Sequence, residues 1–185
     1  MRILGVDPGS SVTGFGVIER AGTGRRGFVH VAHGTLRSPR GAALPQRLES
    51  IRSRLCAVIE EHRPDVAVVE RVFVAANVRS ALVLGQARGV VLAALAAGGV
   101  EIEEVAAREA KKAVTGTGDA DKKMMQQMVT RLLGLAEEPP SDAADALALA
   151  LHRAQAGRLA GLEVRTRTRP RRRRDLAALV EGRGR

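Results

Sequence analysis

Asp7 closes a short apolar run, Ile3-Leu4-Gly5-Val6, and Glu70 closes another, Val66-Ala67-Val68-Val69. Strand interiors avoid charge, so an acid at the carboxyl end of each of two buried runs calls for an account. If the two strands lie parallel and adjacent, both carboxylates enter one crevice at the sheet edge, where α/β folds place their ligands. Asp142 and Asp145 stand three apart in a helical stretch and so share a face. Two bare carboxylates about 4 Å apart repel by about 4 kcal/mol at an effective dielectric near 20, so four acids at one point require positive charge between them. Oxygen donors without His or Cys select Mg²⁺ or Mn²⁺ over zinc. Two such ions roughly 3.5–4 Å apart clamp the attacking and leaving oxygens of a phosphodiester, and the expected reaction is hydrolysis by metal-activated water. Each acid also has an ordinary alternative. Asp7 can cap a turn, Glu70 can pair with Arg71 or Arg88, and Asp142 and Asp145 suit a helix N-terminus through the dipole. The residues alone leave these readings level.

The elements that must position these acids are legible from periodicity. Residues 2–7 read as a buried strand ending in the turn Asp7-Pro8-Gly9-Ser10, and Val12 to Arg20 and Gly27 to Leu36 read as two more strands, giving an antiparallel meander. Leu44, Leu48, Ile51, Leu55, Val58 and Ile59 recur at helical steps within a helix from Ala42 to His62 that stops before Pro64. Asp65 to Glu70 is the next buried strand. A small-residue-rich helix is expected from Asn77 to about Ala97, then a short strand from Val100 to Val105. Helix resumes near Arg108, breaks at Thr115-Gly116-Thr117-Gly118, and restarts with Asp119 or Asp121 near its cap, running to about Leu135. Ser141 can cap a last helix ending near Ala156, after which Gly157 and Gly161 open a tail. The expected fold class is α/β: a mixed sheet of about five strands, a three-strand meander plus parallel strands, flanked by helices.

The chain of 185 residues carries a formal charge of +10, with 45% hydrophobic and 27% charged residues. That fits one domain, placed at 1–156, and an Arg-rich, flexible tail, 157–185. The tail holds ten arginines against Glu163, Asp175 and Glu181, so most of the basicity sits there, suited to polyanions or to solubility. Tyr and Trp are absent and Phe occurs only at 15, 28 and 73, which removes the stacking platforms of the usual single-strand binders. No apolar run is expected to span a membrane. Acid and proline interrupt the N-terminal run at once, so no signal core is expected and the location inferred is cytoplasmic. Cys56 reads as a buried structural thiol.

The chain resembles the RuvC family of crossover junction endodeoxyribonucleases. The similar segments are Ile3-Leu4-Gly5-Val6-Asp7-Pro8-Gly9 with Thr13-Gly14-Phe15-Gly16, Val69-Glu70-Arg71-Val72-Phe73, and Asn77, Ser80-Ala81-Leu82 and Leu84-Gly85-Gln86-Ala87-Arg88-Gly89. They continue in Gly116-Thr117-Gly118, Ala120-Asp121-Lys122 and Asp142-Ala143-Ala144-Asp145-Ala146-Leu147. The resemblance implies an RNase H-like fold, a homodimer, two metal ions per active site (Mg²⁺, with Mn²⁺ as a substitute), and paired nicks in Holliday junctions during DNA recombination and repair. It makes Asp7, Glu70, Asp142 and Asp145 the metal-binding catalytic acids and assigns Lys111 and Lys122 to DNA phosphates at the active site. A positive group there offsets charge developing in the transition state. It also makes Phe73 a wedge against an unpaired base, Arg79 and Arg88 further DNA contacts, the helix from Asn77 a dimer element, and the branch-migration proteins RuvA and RuvB partners. Ala76 and Val105 depart from common family residues.

Three rivals stand beside this reading. An actin-like ATPase shares the Asp-x-Gly turn but needs two lobes, and no Gly-Lys-Ser/Thr loop follows Gly116-Thr117-Gly118. A non-catalytic junction scaffold would not need all four acids. A related nuclease acting on RNA is permitted by the acids but disfavoured by Phe73 and the helix from Asn77.

Overall fold

The computed structural model describes residues 1–20, 27–71 and 77–166, the last ten of these as helical backbone only. Five strands, β1 (Arg2–Asp7), β2 (Val12–Glu19), β3 (Val29–Arg37), β4 (Val66–Arg71) and β5 (Glu101–Ala106), form one sheet in the order β3-β2-β1-β4-β5. β3, β2 and β1 pair antiparallel as the expected meander, while β4 joins β1, and β5 joins β4, in parallel. The central strands β1 and β4 are buried on both faces, which is why their sequences are nearly continuous hydrophobic runs.

One face packs Leu4, Val6, Val17, Ala67 and Val69 against α1 (Leu44–His62) and α2 (Val78–Ala97). The other packs Ile3, Ile18, Val66 and Val68 against α3 (Ala107–Thr115), α4 (Lys122–Leu133) and α5 (Ser141–Thr166). α1 carries Pro45 in its first turn, a position that needs no amide donor, and ends at Arg63 in the left-handed region at φ 43°. Asn77 caps α2 by accepting from the amides of Arg79 and Ser80, and Asp121 caps α4 by accepting from Met124 at 2.7 Å.

Two expectations change. α5 does not stop near Ala156 but runs on to Thr166, through Gly157 and Gly161. The expectation that no stretch is apolar enough to span a membrane also fails by length and composition, because Val78–Ala97 is a 20-residue helix apolar enough to cross one. Here that helix lies beside α1, with Ala87, Val91, Ala94 and Leu95 buried. Phe73, Ala76 and the tail beyond Thr166 lie outside the described residues.

Candidate active site

The parallel register that pairs Val6 with Val69 brings Asp7 and Glu70 side by side at the carboxyl ends of β1 and β4. Their carboxyl groups are close enough to share a proton. The antiparallel register pairs Asp7 with Gly14 on its other side. A Cβ on Gly14 would stand 1.9 Å from the Asp142 carbonyl oxygen, and one on Gly5 would stand 1.8 Å from that of Ala146. The α5 backbone therefore rests directly on strand backbone, a distance that only glycine permits. Ala143, Ala144 and Ala146 are buried in the same contact. Small residues on both sides thus draw the first turns of α5 onto the end of β1, and with them Asp142 and Asp145.

Burial, the shared proton with Glu70 and the charges of Glu70 and Asp142 together push the Asp7 carboxyl up to about 8, against a smaller opposing pull from Lys122. Asp145 is raised to about 6, by burial first and then by Asp7, with Lys111 and Lys122 opposing. The four acids expected from sequence, drawn from β1, β4 and α5, therefore sit within electrostatic reach of one another, and both expected lysines reach them. Lys122 opens α4, so its ammonium adds to the positive end of that helix. Lys111, half-buried on α3, lines a cavity of about 130 Å³ together with Glu70, Asp145 and Met125. Among the described residues no three acidic, His or Cys side chains are gathered tightly enough to enclose a single ion unaided. Two neighbouring carboxyls sharing a proton is the low-energy state of such a cluster when no cation separates them. Every donor on offer is a carboxylate oxygen, which suits a hard ion such as Mg²⁺ or Mn²⁺.

The remaining expected site residues are placed differently. Arg79 lies exposed in the first turn of α2. The Arg88 guanidinium pairs with Glu104 and donates to the Glu70 carbonyl at 3.4 Å, and Arg71 donates to the Glu104 carbonyl at 3.1 Å. Arg88 is thus committed to holding the end of β4, from which Glu70 projects.

Sequence reasoning missed two supports of the turn after Asp7. Thr13, fully buried, donates to the Gly9 carbonyl at 2.9 Å and accepts from the Gly9 amide at 3.3 Å. From α1, Arg47 donates to the Ser10 carbonyl through both Nε (2.9 Å) and Nη2 (2.7 Å), and to the Ser10 and Ser11 hydroxyls at 2.8 Å. A guanidinium fork that holds three acceptors of one turn fixes the direction in which β1 delivers Asp7. The only local signal for Thr13 was its place in the Thr13-Gly14-Phe15-Gly16 segment. Arg47, 37 residues from its partner, gave none.

Comparison with known proteins gives consistent results. The family model described as crossover junction endodeoxyribonuclease RuvC matches residues 3–153. A curated protein of that name from Burkholderia vietnamiensis is 48% identical over 161 residues, covering 87% of each chain. The solved Thermus thermophilus RuvC in complex with a Holliday junction substrate superposes with a TM-score of 0.78 at 32% identity, over 86% of this chain and 96% of that one. A yeast mitochondrial Holliday junction resolvase, 12% identical, shares the RNase H-like fold at a TM-score of 0.59, over 83% of this chain and 80% of its own.

Proposed function

As the chain belongs to the RuvC family of crossover junction endodeoxyribonucleases, we propose that it resolves four-way DNA junctions as a homodimer by paired symmetric nicks, in recombination and repair. The observation that carries this reading is the convergence of Asp7, Glu70, Asp142 and Asp145, a cluster in which burial first and then the neighbouring carboxyls push Asp7 up to about 8. Those four side chains would hold two Mg²⁺ ions, with Mn²⁺ as a substitute. When bound, the ions supply Lewis acidity at the scissile phosphodiester and lower the pKa of the attacking water. The chain's own residues bind and orient. Lys122 and the positive end of α4 draw a phosphate toward the acids, and the Lys111 ammonium offsets charge gathering on the phosphoryl oxygens. Arg47 and Thr13 hold the turn that aims Asp7, and Arg88 holds the strand end that carries Glu70. Phe73 is the wedge against an unpaired base, and Arg79 and the Arg-rich tail add phosphate contacts.

Support for the homodimer comes from α2. Val78 and Leu82 are 72% and 64% exposed, and farther along the helix an apolar cavity of about 510 Å³ lies between α1 and α2, lined by Leu44, Pro45, Leu48, Gly89, Val90 and Ala93. Two-fold symmetry suits a substrate whose two cleaved strands are equivalent. Partnership with RuvA and RuvB follows from the same family reading, and a cytoplasmic location from the early acid and proline in the N-terminal apolar run.

Incubation of a synthetic mobile four-way junction with Mg²⁺, comparing wild type and Asp7→Asn, tests the proposal. Paired nicks with religatable ends are expected from the wild type only, with junction binding retained in the variant. Equal cutting of linear duplex, or equal activity in the variant, overturns it.

A further inference from the structure

Away from the acid cleft, on the outer strand of the sheet, His30 and His33 bring their rings together, with His33 Nδ1 2.8 Å from His30 Nε2 and ring centroids 4.9 Å apart. Three residues apart on a regular strand, they would point to opposite faces. A bulge prevents this. His30 lies opposite Ile18 and Ala32 opposite Val17, so Val31 is inserted between them. His33 lies opposite Gly16, two residues from Ile18, and both imidazoles therefore emerge on the α4–α5 face.

Both histidines line a cavity of about 600 Å³, closed on its far side by the segment between α4 and α5 from Leu133 to Pro140, including Glu137 and Glu138. Glu138 is paired with Lys123, whereas Glu137 is exposed at the same cavity. Burial lowers the pKa of both imidazoles, and for His30 the neighbouring ring lowers it further; as neutral rings they share an N–H···N hydrogen bond, one nitrogen of the pair donating and the other accepting.

The geometry points to a binding site for one borderline divalent transition-metal ion, distinct from the acid cluster, with His30 Nε2 and His33 Nδ1 as neighbouring ligands and water completing the shell. Metal–imidazole bonds of about 2.0–2.1 Å meeting at a right angle place the two nitrogens about 2.9 Å apart, close to the spacing seen, whereas a tetrahedral angle needs about 3.3 Å. The hydrogen bond already holds the rings at about the spacing of a right-angle pair of ligands, which suits the tetragonal preferences of Cu²⁺ and Ni²⁺ better than tetrahedral Zn²⁺. Occupancy requires that each ring carry its proton on the other nitrogen, so the ion replaces the hydrogen bond between the rings with no net charge lost. A cation there faces carboxylates on the segment leading into α5, so the ion would tie the edge strand to the element that carries Asp142 and Asp145.

The test is titration of tag-free, full-length protein with Cu²⁺ and with Ni²⁺ at neutral pH, in excess Mg²⁺ to compete for carboxylate-only sites. Calorimetry follows affinity and electron paramagnetic resonance follows the copper ligands. One Cu²⁺ per chain with two equatorial nitrogens is expected. Affinity should fall at least tenfold in His30→Ala and in His33→Ala, and should stay at the wild-type level in His62→Gln. His33→Gln, which keeps a hydrogen-bonding group in place, should show the same loss with an unchanged melting temperature. A single equatorial nitrogen in the wild type, or undiminished affinity in the His30 and His33 variants, overturns the assignment.

Discussion

Two helices of similar composition meet opposite fates in this molecule. α2 and α5 are both rich in alanine and leucine, yet α5 is buried on nearly every side from Ala143 to Leu151, while α2 buries only Ala87, Val91, Ala94 and Leu95 and leaves Val78 and Leu82 in solvent. The difference lies in what faces them. α5 meets the glycines of β1 and β2 and settles onto bare backbone, whereas the glycines of α2, Gly85 and Gly89, have nothing within 4 Å. Composition sets the capacity for close packing, and the partner decides whether it is used. For α5 the partner is the sheet, and the result is an acid pair pressed into the end of β1. For α2 the partner is proposed to be a second copy of the chain.

Paired glycine substitutions break this comparison most sharply. Gly5→Val should abolish folding, because its Cβ would overlap the Ala146 carbonyl and the backbone there has no side chain to move aside. Overpacking of that kind costs about 3 kcal/mol or more. Gly89→Ala should leave the thermal midpoint unchanged or raise it by up to about 1 kcal/mol in stability. Circular dichroism melts of both variants decide the point. A folded Gly5→Val protein with a wild-type midpoint would mean that α5 does not sit where described.

Next in size is the turn between the two faces. Arg47→Ala should lower kcat on a junction by about 10–100-fold with little change in KM, since it loosens the aim of Asp7 rather than the grip on DNA. Arg47→Lys, with one donor group in place of a fork, should recover only part of the loss. A change confined to KM would reassign Arg47 to DNA binding.

Much of this arrangement was legible in the sequence. The acids at the ends of two apolar runs, the helical spacing of Asp142 and Asp145, and the caps Asn77 and Asp121 are local signals, and each expected element, the end of α5 excepted, occurs within a few residues of its expected place. What escaped was set by contacts distant in sequence. The Arg47 clamp joins α1 to a turn 37 residues earlier. The bulge at Val31 exists only through pairing with β2 and reverses the facing that a three-residue spacing implies. Gly157 and Gly161 read as helix breakers, but their unfavourable propensity, about 1 kcal/mol each, did not end α5. The Arg88–Glu104 pair likewise exists only through the folding of α2 beside β5.

Smaller effects sharpen the comparison from the other side. Leu82→Glu should shift the oligomer toward monomer by at least about tenfold in dissociation constant, read by sedimentation, with little change in the melting of the monomer. On the α5 side, the Asp7 carboxyl is raised from 3.8 to about 8. Between those values the folded chain holds a proton that the unfolded chain releases, so stability falls as pH rises through that window and the full cost stands above it. Asp7→Asn should therefore melt higher than the wild type at pH 9 in metal-free buffer and equally at pH 3.5. After allowance for the proton shared with Glu70, the gain is on the order of 1–2 kcal/mol, or roughly 2–4 °C per kcal/mol. Equal melting at both pH values would show that Asp7 is not held buried among the other acids.

Crystals grown with Mn²⁺ and measured for its anomalous scattering test the central claim most directly. Two peaks about 3.5–4 Å apart, bounded by Asp7, Glu70, Asp142 and Asp145, are expected. A cleft without anomalous signal in crystals whose Mn²⁺ lies elsewhere on the chain would contradict it.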